Sequence, residues 1–414
     1  MVKIKPFKGI RPAKEYAKDI ASPPYDVINK QEARKMAEGN DKSFLHVIKP
    51  EIDVPDSVNE YSEDIYKKGV ENINKMIENN YLIQDDKENL CIYAQTMNNK
   101  IQYGLVACAS SEEYLNDTIK KHELTRPDKE EDRRKHVRYS NMNYEPVFFT
   151  YHANKEIDNI IEKEIQKTPE YDFVSDDDIR HQVWIIDDDQ IIKQLISLFG
   201  SVKNTYVADG HHRSTAAATI GKEKKENNPN HTGDEEYNYF LAVHFPDNQL
   251  SIIDYNRVVK DLNGLTKEEL ISKLSDKFEV ENKGTTPYKP ASLHNFSMYL
   301  DGEWYSLTAK EGTYNDADPI DVLDVTILSK CVLDPILDIK DLRKSKRIDF
   351  VGGIRGIGEL KKRVDSGEMD VAFALYPVTM DQLINIADTG NIMPPKTTWF
   401  EPKLRSGLLI HSLE

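Results

Sequence analysis

Thr205-Tyr206-Val207-Ala208-Asp209-Gly210-His211-His212-Arg213-Ser214-Thr215-Ala216-Ala217-Ala218-Thr219-Ile220 runs from a β-like segment through an Asp-Gly turn into an alanine-rich helix. A strand is expected over 205–208 and a helix from His212 to Ile220, with Gly210 supplying a backbone geometry denied to other residues. Strand, glycine turn and helix together expose helix-terminal N–H groups to an anion. Within this turn Arg213 can fork onto two phosphate oxygens and stays charged at any relevant pH. His211 and His212 can donate hydrogen bonds or shuttle a proton. Asp209 can orient a histidine, hold magnesium or accept a hydroxyl proton. Ser214 and Thr215 offer hydroxyls either to a ligand or to capping the helix.

The surrounding pattern is a mixture of strands and helices. The apolar run Phe44–Ile48, stopped by Pro50, reads as a strand, and Asn29 as the start of a short helix. Ile65, Val70, Ile73, Met76 and Ile77 give residues 58–79 an apolar stripe at helical spacing. Hairpins are expected over 90–107, around Met97–Lys100, and over 294–307, around Asp301-Gly302. Helices are expected around 127–139 and 265–278, and strands over 147–151 and 239–245. The 414 residues exceed one ordinary core. The expected division is an N-terminal and central α+β region over 1–260 and a C-terminal α+β domain over 261–414, whose tail can pack back on the core.

Lys and Arg number 55 against 71 Asp and Glu, a formal charge of -16, which argues against a nucleic-acid partner and an anionic membrane. The start, Met1-Val2-Lys3-Ile4-Lys5-Pro6, passes into polar sequence without a long apolar run, so neither a signal peptide nor a membrane span is expected and the cytoplasm is the expected location. Cys91, Cys108 and Cys331 are too few and scattered for a disulfide scaffold or a zinc cluster, and no tightly bound transition metal is expected.

Other segments add candidates. His122-Glu123-Leu124-Thr125-Arg126 is not the zinc signature, because Arg126 stands where a second histidine belongs. There Glu123 can serve as general base while Arg126 and Arg133 meet an anionic substrate; the alternative is a solvated, charge-laced helix. Ser22-Pro23-Pro24-Tyr25-Asp26 is rigid and either presents Tyr25 or Asp26 to a pocket or is a bare turn. Arg257, in Asp254-Tyr255-Asn256-Arg257, is either a ligand contact or half of a structural ion pair. Lys396 and Lys403 flank aromatics in a loop that closes over an anion or anchors the C-terminus. Gly352-Gly353-Ile354-Arg355-Gly356-Ile357-Gly358 does not fit Gly-x-Gly-x-x-Gly and reads as a flexible turn.

The ordered series Lys5–Gly9, Ser22–Asp26, His122-Glu123, Asp132-Arg133, Asp209–Arg213, Asp254–Arg257 and Pro395–Lys403 resembles a prokaryotic conserved family of unknown function, of the DUF1015 type. Its central box is similar to the phosphate-binding box of the ParB and sulfiredoxin superfamily, in which Gly210, His212 and Arg213 match the Gly-x-His-Arg core. The resemblance implies an α+β fold with mixed sheets, flanking helices, a nucleotide-binding core of that type and an additional domain. Sulfiredoxin has its reactive cysteine where this chain has His211, whereas the free-serine kinases carry a similar Asp-Gly-His-His-Arg run and an upstream acidic residue, for which Glu123 is the candidate. The activity implied by the resemblance is phosphoryl transfer from ATP or ADP, with Mg2+, to a small hydroxylated metabolite, serine foremost. A phosphatase of a phosphorylated metabolite, possible through His211, and a nucleotide-binding regulatory protein are the alternatives. In the kinase reading Asp209 or Glu123 takes the hydroxyl proton, and His211 or His212 donates to a phosphoryl oxygen.

Overall fold

The computed structural model describes residues 1–414 and divides into two compact units. The first comprises 1–121, 125–250 and 402–414; the second comprises 122–124 and 251–401. The fold is α+β, with mixed sheets and flanking helices.

The first unit is built on a nine-stranded sheet. In spatial order its main path runs Ile119–Lys120, Thr205–Asp209, Val147–Tyr151, Tyr239–Pro246, Lys100–Ser110, Leu90–Met97, Arg180–Ile186 and Tyr171–Val174, with Ile4–Lys5 paired to Lys100–Ser110. Val147-Phe148-Phe149-Thr150-Tyr151 is buried along its whole length, as a largely apolar strand inside a sheet should be, and the Thr150 hydroxyl donates to the Phe245 carbonyl at 3.1 Å. It runs antiparallel to Thr205–Asp209 and parallel to Tyr239–Pro246. The register slips between Val207 and Asp209, a bulge at the end of the strand that feeds the Asp-Gly turn. The helix His211–Asn227 follows, beginning one residue earlier and running seven residues further than the alanine pattern suggests.

Elsewhere in this unit the amphipathic helix is Glu63–Glu78, starting only after the turn at Asn59–Ser62 and burying Ile65, Ile73 and Met76. Asn29 forms a capping box with Glu32 at the head of Lys30–Met36. Phe44–Ile48, expected as a strand, is instead a short helix, Leu45–Ile48. Phe44, Leu45, Val47 and Ile48 are all buried in one apolar cluster while His46 turns to Asp53, and so short a run carries too little period to separate helix from strand.

The second unit has a six-stranded antiparallel sheet in the order Phe278–Gly284, Glu303–Ala309, Asn295–Leu300, Val371–Ala374, Tyr255–Val259 and Ile348–Gly352. The Asp301-Gly302 hairpin closes with both residues at positive φ, as a tight two-residue turn requires. The helix expected over 265–278 is Lys267–Leu274, closed by a Thr266–Glu269 capping box, and Phe278 already begins a strand. The glycine-rich stretch is a defined strand–turn–helix: Gly352 ends a strand and Ile357–Asp365 is helical. No helix is long and apolar enough to cross a membrane.

Candidate functional site

Gly210 adopts φ +91, the left-handed region, and no side chain caps the helix it opens. A Cβ at this position would come within 3.2 Å of the Arg213 guanidinium, which folds back against the turn. Gly210 therefore serves both the backbone geometry and the close approach of that side chain.

Arg213 is 9% exposed. Its Nη1 donates to the Pro146 carbonyl at 2.7 Å, and Nη2 lies 3.7 Å from the Asp209 carboxylate. Its Nε is buried and has no hydrogen-bond partner. Burial alone would lower the guanidinium pKa, yet Glu145, Asp26, Asp209 and Tyr25 together push it above the usual value. An arginine held by surrounding negative potential, but with one donor unsatisfied, is poised to take a further acceptor.

Asp209, whose side chain is 27% exposed, accepts from Lys403 Nζ at 3.2 Å. Burial works to raise its pKa, but Lys403 and Arg213 outweigh that and hold the carboxyl at about 2. A carboxylate so firmly ionised is better suited to holding a cation than to removing a proton near neutral pH. Lys403 is anchored in turn through its carbonyl, which accepts from Gln95 Nε2 at 2.8 Å.

His212 Nε2 accepts from the Arg126 backbone N–H at 2.9 Å, leaving the proton of the neutral ring on Nδ1. The Arg126 side chain points elsewhere, into a 2.8 Å pair with Asp128. His211 is buried. The Ser214 hydroxyl donates back to the Gly210 carbonyl at 3.0 Å, and Thr215 Oγ1 bonds the His211 carbonyl at 3.0 Å and Tyr114 at 2.6 Å. Both hydroxyls thus brace the first turn of the helix.

Beside Arg213 lies a second ionic layer. Arg133 pairs with Asp132 at 2.6 Å, approaches Glu145 at 3.6 Å and stacks its guanidinium 3.7 Å from the Tyr25 ring centroid. The structure thus draws Tyr25 and Arg133 together, while Asp26 is exposed and acts on Arg213 through its field. A cavity of about 40 Å³ opens between Arg133, Glu145, Tyr144 and Arg213, room for a few water molecules at most.

Glu145 escaped the sequence reading. It is buried, accepts from the Tyr25 N–H and the Ser406 hydroxyl at 3.1 Å each, and is the leading negative influence on Arg213. Its one local hint is an acidic residue directly before Pro146 and a largely apolar strand; that it is buried beside cations comes from the fold.

Glu123, Arg257 and Lys396 belong to the second unit. There the Met393 N–H donates to the His122 carbonyl at 2.8 Å, and His122 Nε2 lies 3.3 Å from Thr398 Oγ1, which ties the 122–124 segment to the loop carrying Lys396. Arg257 donates to the Lys396 carbonyl at 2.9 Å. The structural ion pair considered for Arg257 does not form, and Asp254 is engaged by Lys289 at 3.0 Å and Asn256 at 2.6 Å.

Among solved structures, a conserved hypothetical protein from Pyrococcus furiosus is similar at 15% identity and a TM-score of 0.35, covering 75% of this chain and 97% of its own. A mutant free serine kinase in complex with AMP is similar at 12% identity and a TM-score of 0.36, covering 75% of this chain and 92% of its own. SbnI from Staphylococcus aureus, truncated at its C-terminus, is similar at 11% identity and a TM-score of 0.36, covering 72% and 82%. No curated protein matches the sequence. The model of the family described as protein of unknown function DUF1015 matches residues 4–326, and the chain belongs to that family.

Proposed function

We propose that the Asp209–Thr215 turn binds the phosphates of a nucleotide, and that the protein moves the terminal phosphoryl group to a small hydroxylated metabolite, with serine the preferred acceptor. The observation that carries this reading is the buried Arg213 Nε without a partner, set against a left-handed glycine at the head of a helix with no side-chain cap. Unsatisfied guanidinium and uncapped N–H groups are complementary to phosphate oxygens. Asp209 fits a magnesium ion held mostly by phosphate oxygens, since it offers one partly exposed, fully ionised carboxylate. Bound ATP or ADP with magnesium would supply the phosphoryl group and screen its charge.

The chain's own residues then divide the work. Arg213 and the first helical N–H groups hold phosphate oxygens and meet the charge that spreads over them during transfer. Gly210 admits the phosphate to the backbone. Lys403 keeps Asp209 ionised and adds a second cation, while His212 offers its Nδ1 proton to a phosphoryl oxygen and His211 stands next to it in the turn. Ser214 and Thr215 keep the turn rigid. The acceptor oxygen forms its bond to phosphorus as the bond to the nucleotide breaks, and the hydroxyl proton passes to a base, the role proposed for Glu123. Arg126, Arg133, Tyr25 and Asp26 are proposed to shape the approach of the anionic substrate.

Phosphorus NMR of the protein with magnesium and ATP or ADP, with and without L-serine and phosphoserine, tests this. A serine-dependent phosphoester signal is the expected result. Phosphate released from phosphoserine without nucleotide would replace the kinase by a phosphatase, and bound nucleotide without turnover of either compound would replace it by a nucleotide-binding regulator. Glu123→Gln should lower turnover while sparing nucleotide affinity.

A further inference from the structure

The second unit contains a cation that no carboxylate neutralises. Arg257 sits on the strand Tyr255–Val259 and is 1% exposed. Its guanidinium donates to two main-chain carbonyls, Tyr255 and Lys396, and lies 5.4 Å from the Phe350 ring centroid. No acidic group forms an ion pair with it, and the acid nearest in sequence, Asp254, is committed to Lys289 and Asn256. Burial pulls the Arg257 pKa down to about 10, with only Tyr255 opposing. Burying a charge without a counter-charge is strongly unfavourable, and a lone buried arginine calls for an anion.

A second observation lies on the same spot. Lys396 has φ +60, and among the non-glycine residues at positive φ it alone is not Asn, Asp or His. Asn and Asp ease this conformation through a short side chain that reaches the local backbone, a geometry the long lysine stem does not share, so a lysine in this turn is strained. The strained residue is the one whose carbonyl Arg257 grips, and its Nζ lies 5.6 Å from the centroid of the Tyr255 ring. The loop around it is otherwise firmly seated: Thr397 Oγ1 donates to the Pro394 carbonyl at 2.6 Å, and Trp399 packs edge-on to Tyr255 with centroids 4.9 Å apart. Gly352 is required for that packing, since a Cβ there would lie 3.0 Å from the indole.

We infer that Arg257 and Lys396 form an oxyanion site within the second unit, which takes the carboxylate or phosphate of a small metabolite. The anion takes the place of the Lys396 carbonyl on the Arg257 fork, exchanging a neutral acceptor for a charged, bidentate one and releasing the strained turn. The Lys396 ammonium supplies the second positive charge. That the ligand is the acceptor rests on the phosphoryl-transfer reading; the site itself does not.

Isothermal titration of the full-length protein with inorganic phosphate and, separately, with L-serine tests the site and distinguishes phosphate from carboxylate. One of the two probes is expected to bind, with Arg257→Met and Lys396→Asn each weakening it at least about tenfold, the loss of one charged contact. Asparagine tolerates the left-handed turn, so Lys396→Asn carries the test even where Arg257→Met fails to fold. Arg213→Lys should weaken ATP or ADP, while the loss of probe binding caused by Arg257→Met and Lys396→Asn should persist in that background. Binding of neither probe, or equal affinity in wild type and both second-unit variants, overturns the site. Unchanged nucleotide affinity in Arg213→Lys, with the probe pattern intact, counts against the phosphoryl-transfer reading alone.

Discussion

Arg213 and Arg257 are buried to a similar depth, at 9% and 1% exposure, yet their surroundings push them in opposite directions. Around Arg213 the carboxylates Glu145, Asp26 and Asp209 more than repay desolvation, and its pKa rises. Around Arg257 only main-chain carbonyls and aromatic rings are in reach, and its pKa falls to about 10. Burial alone therefore says little about what an arginine is for. The first arginine is part of the stability of its unit and has one donor to spare; the second contributes a charge that the unit alone does not compensate. Substitutions at the two positions should separate in kind as well as in size.

The largest effect is expected at Arg213. Removing it leaves the Pro146 carbonyl without its donor and takes one of two guanidinium charges from beside Glu145, which keeps Arg133, so Arg213→Met should cost about 3 kcal/mol in urea unfolding, the usual result of breaking a buried ionic network from one side. Loss of nucleotide affinity in that variant would be mixed with loss of fold. Arg213→Lys keeps the charge and loses the fork, and should lower ATP or ADP affinity by about 10-fold to 100-fold with a smaller stability change. Full nucleotide affinity in the lysine variant would remove Arg213 from the phosphate site.

Lys403 sharpens the same side of the comparison. Asp209 has a folded pKa near 2, below its ordinary value of 3.8, so its contribution to stability is complete above about pH 4 and is lost as pH falls towards 2. A shift of that size corresponds to about 2 kcal/mol. Lys403→Met should remove much of it, lowering stability at pH 6 and flattening the acid limb between pH 4 and pH 2, read from unfolding curves at each pH. An unaltered acid limb would mean that Arg213 alone holds the carboxylate down.

Gly210→Ala comes next, at about 1–2 kcal/mol for a left-handed alanine. Its Cβ would also press on the Arg213 guanidinium, so nucleotide affinity should fall together with melting temperature. A melting temperature equal to wild type would show that the turn adopts another conformation.

Much of this contrast was hidden in the sequence, and the reason is distance along the chain. The strand, turn and helix over 205–227 were legible because glycine and the alanine run act locally. The 294–307 hairpin was legible for the same reason, through Asp301-Gly302. The pairing of Lys403 with Asp209 spans 194 residues, and Glu145 acts on Arg213 from the head of a neighbouring strand, so neither leaves a periodic trace. Arg257 misled in the other direction: the structural ion pair weighed for it does not form, and Asp254, three positions away, is taken by Lys289 and Asn256. Phe44–Ile48 failed because a five-residue run with one partly exposed position, His46, is too short to show the period from which a strand or helix is read. Local chemistry could locate the turn; only the fold reveals which charges are balanced.

The smallest stability effect, and the one that decides what the comparison means, is expected for Arg257→Met. Methionine fills similar volume without a charge, and replacing an uncompensated buried ion by an apolar side chain is often neutral or stabilising. Against that gain stand two carbonyls, of Tyr255 and Lys396, that lose a donor, at about 1 kcal/mol each. The two terms nearly cancel, and the melting temperature should stay within a few degrees of wild type while Arg213→Met falls well below it. A rise would mark Arg257 as a residue kept at a cost to stability, as an anion site requires. A fall as large as that of Arg213→Met would instead make the two carbonyls its true partners, and Arg257 a structural strut like many buried arginines.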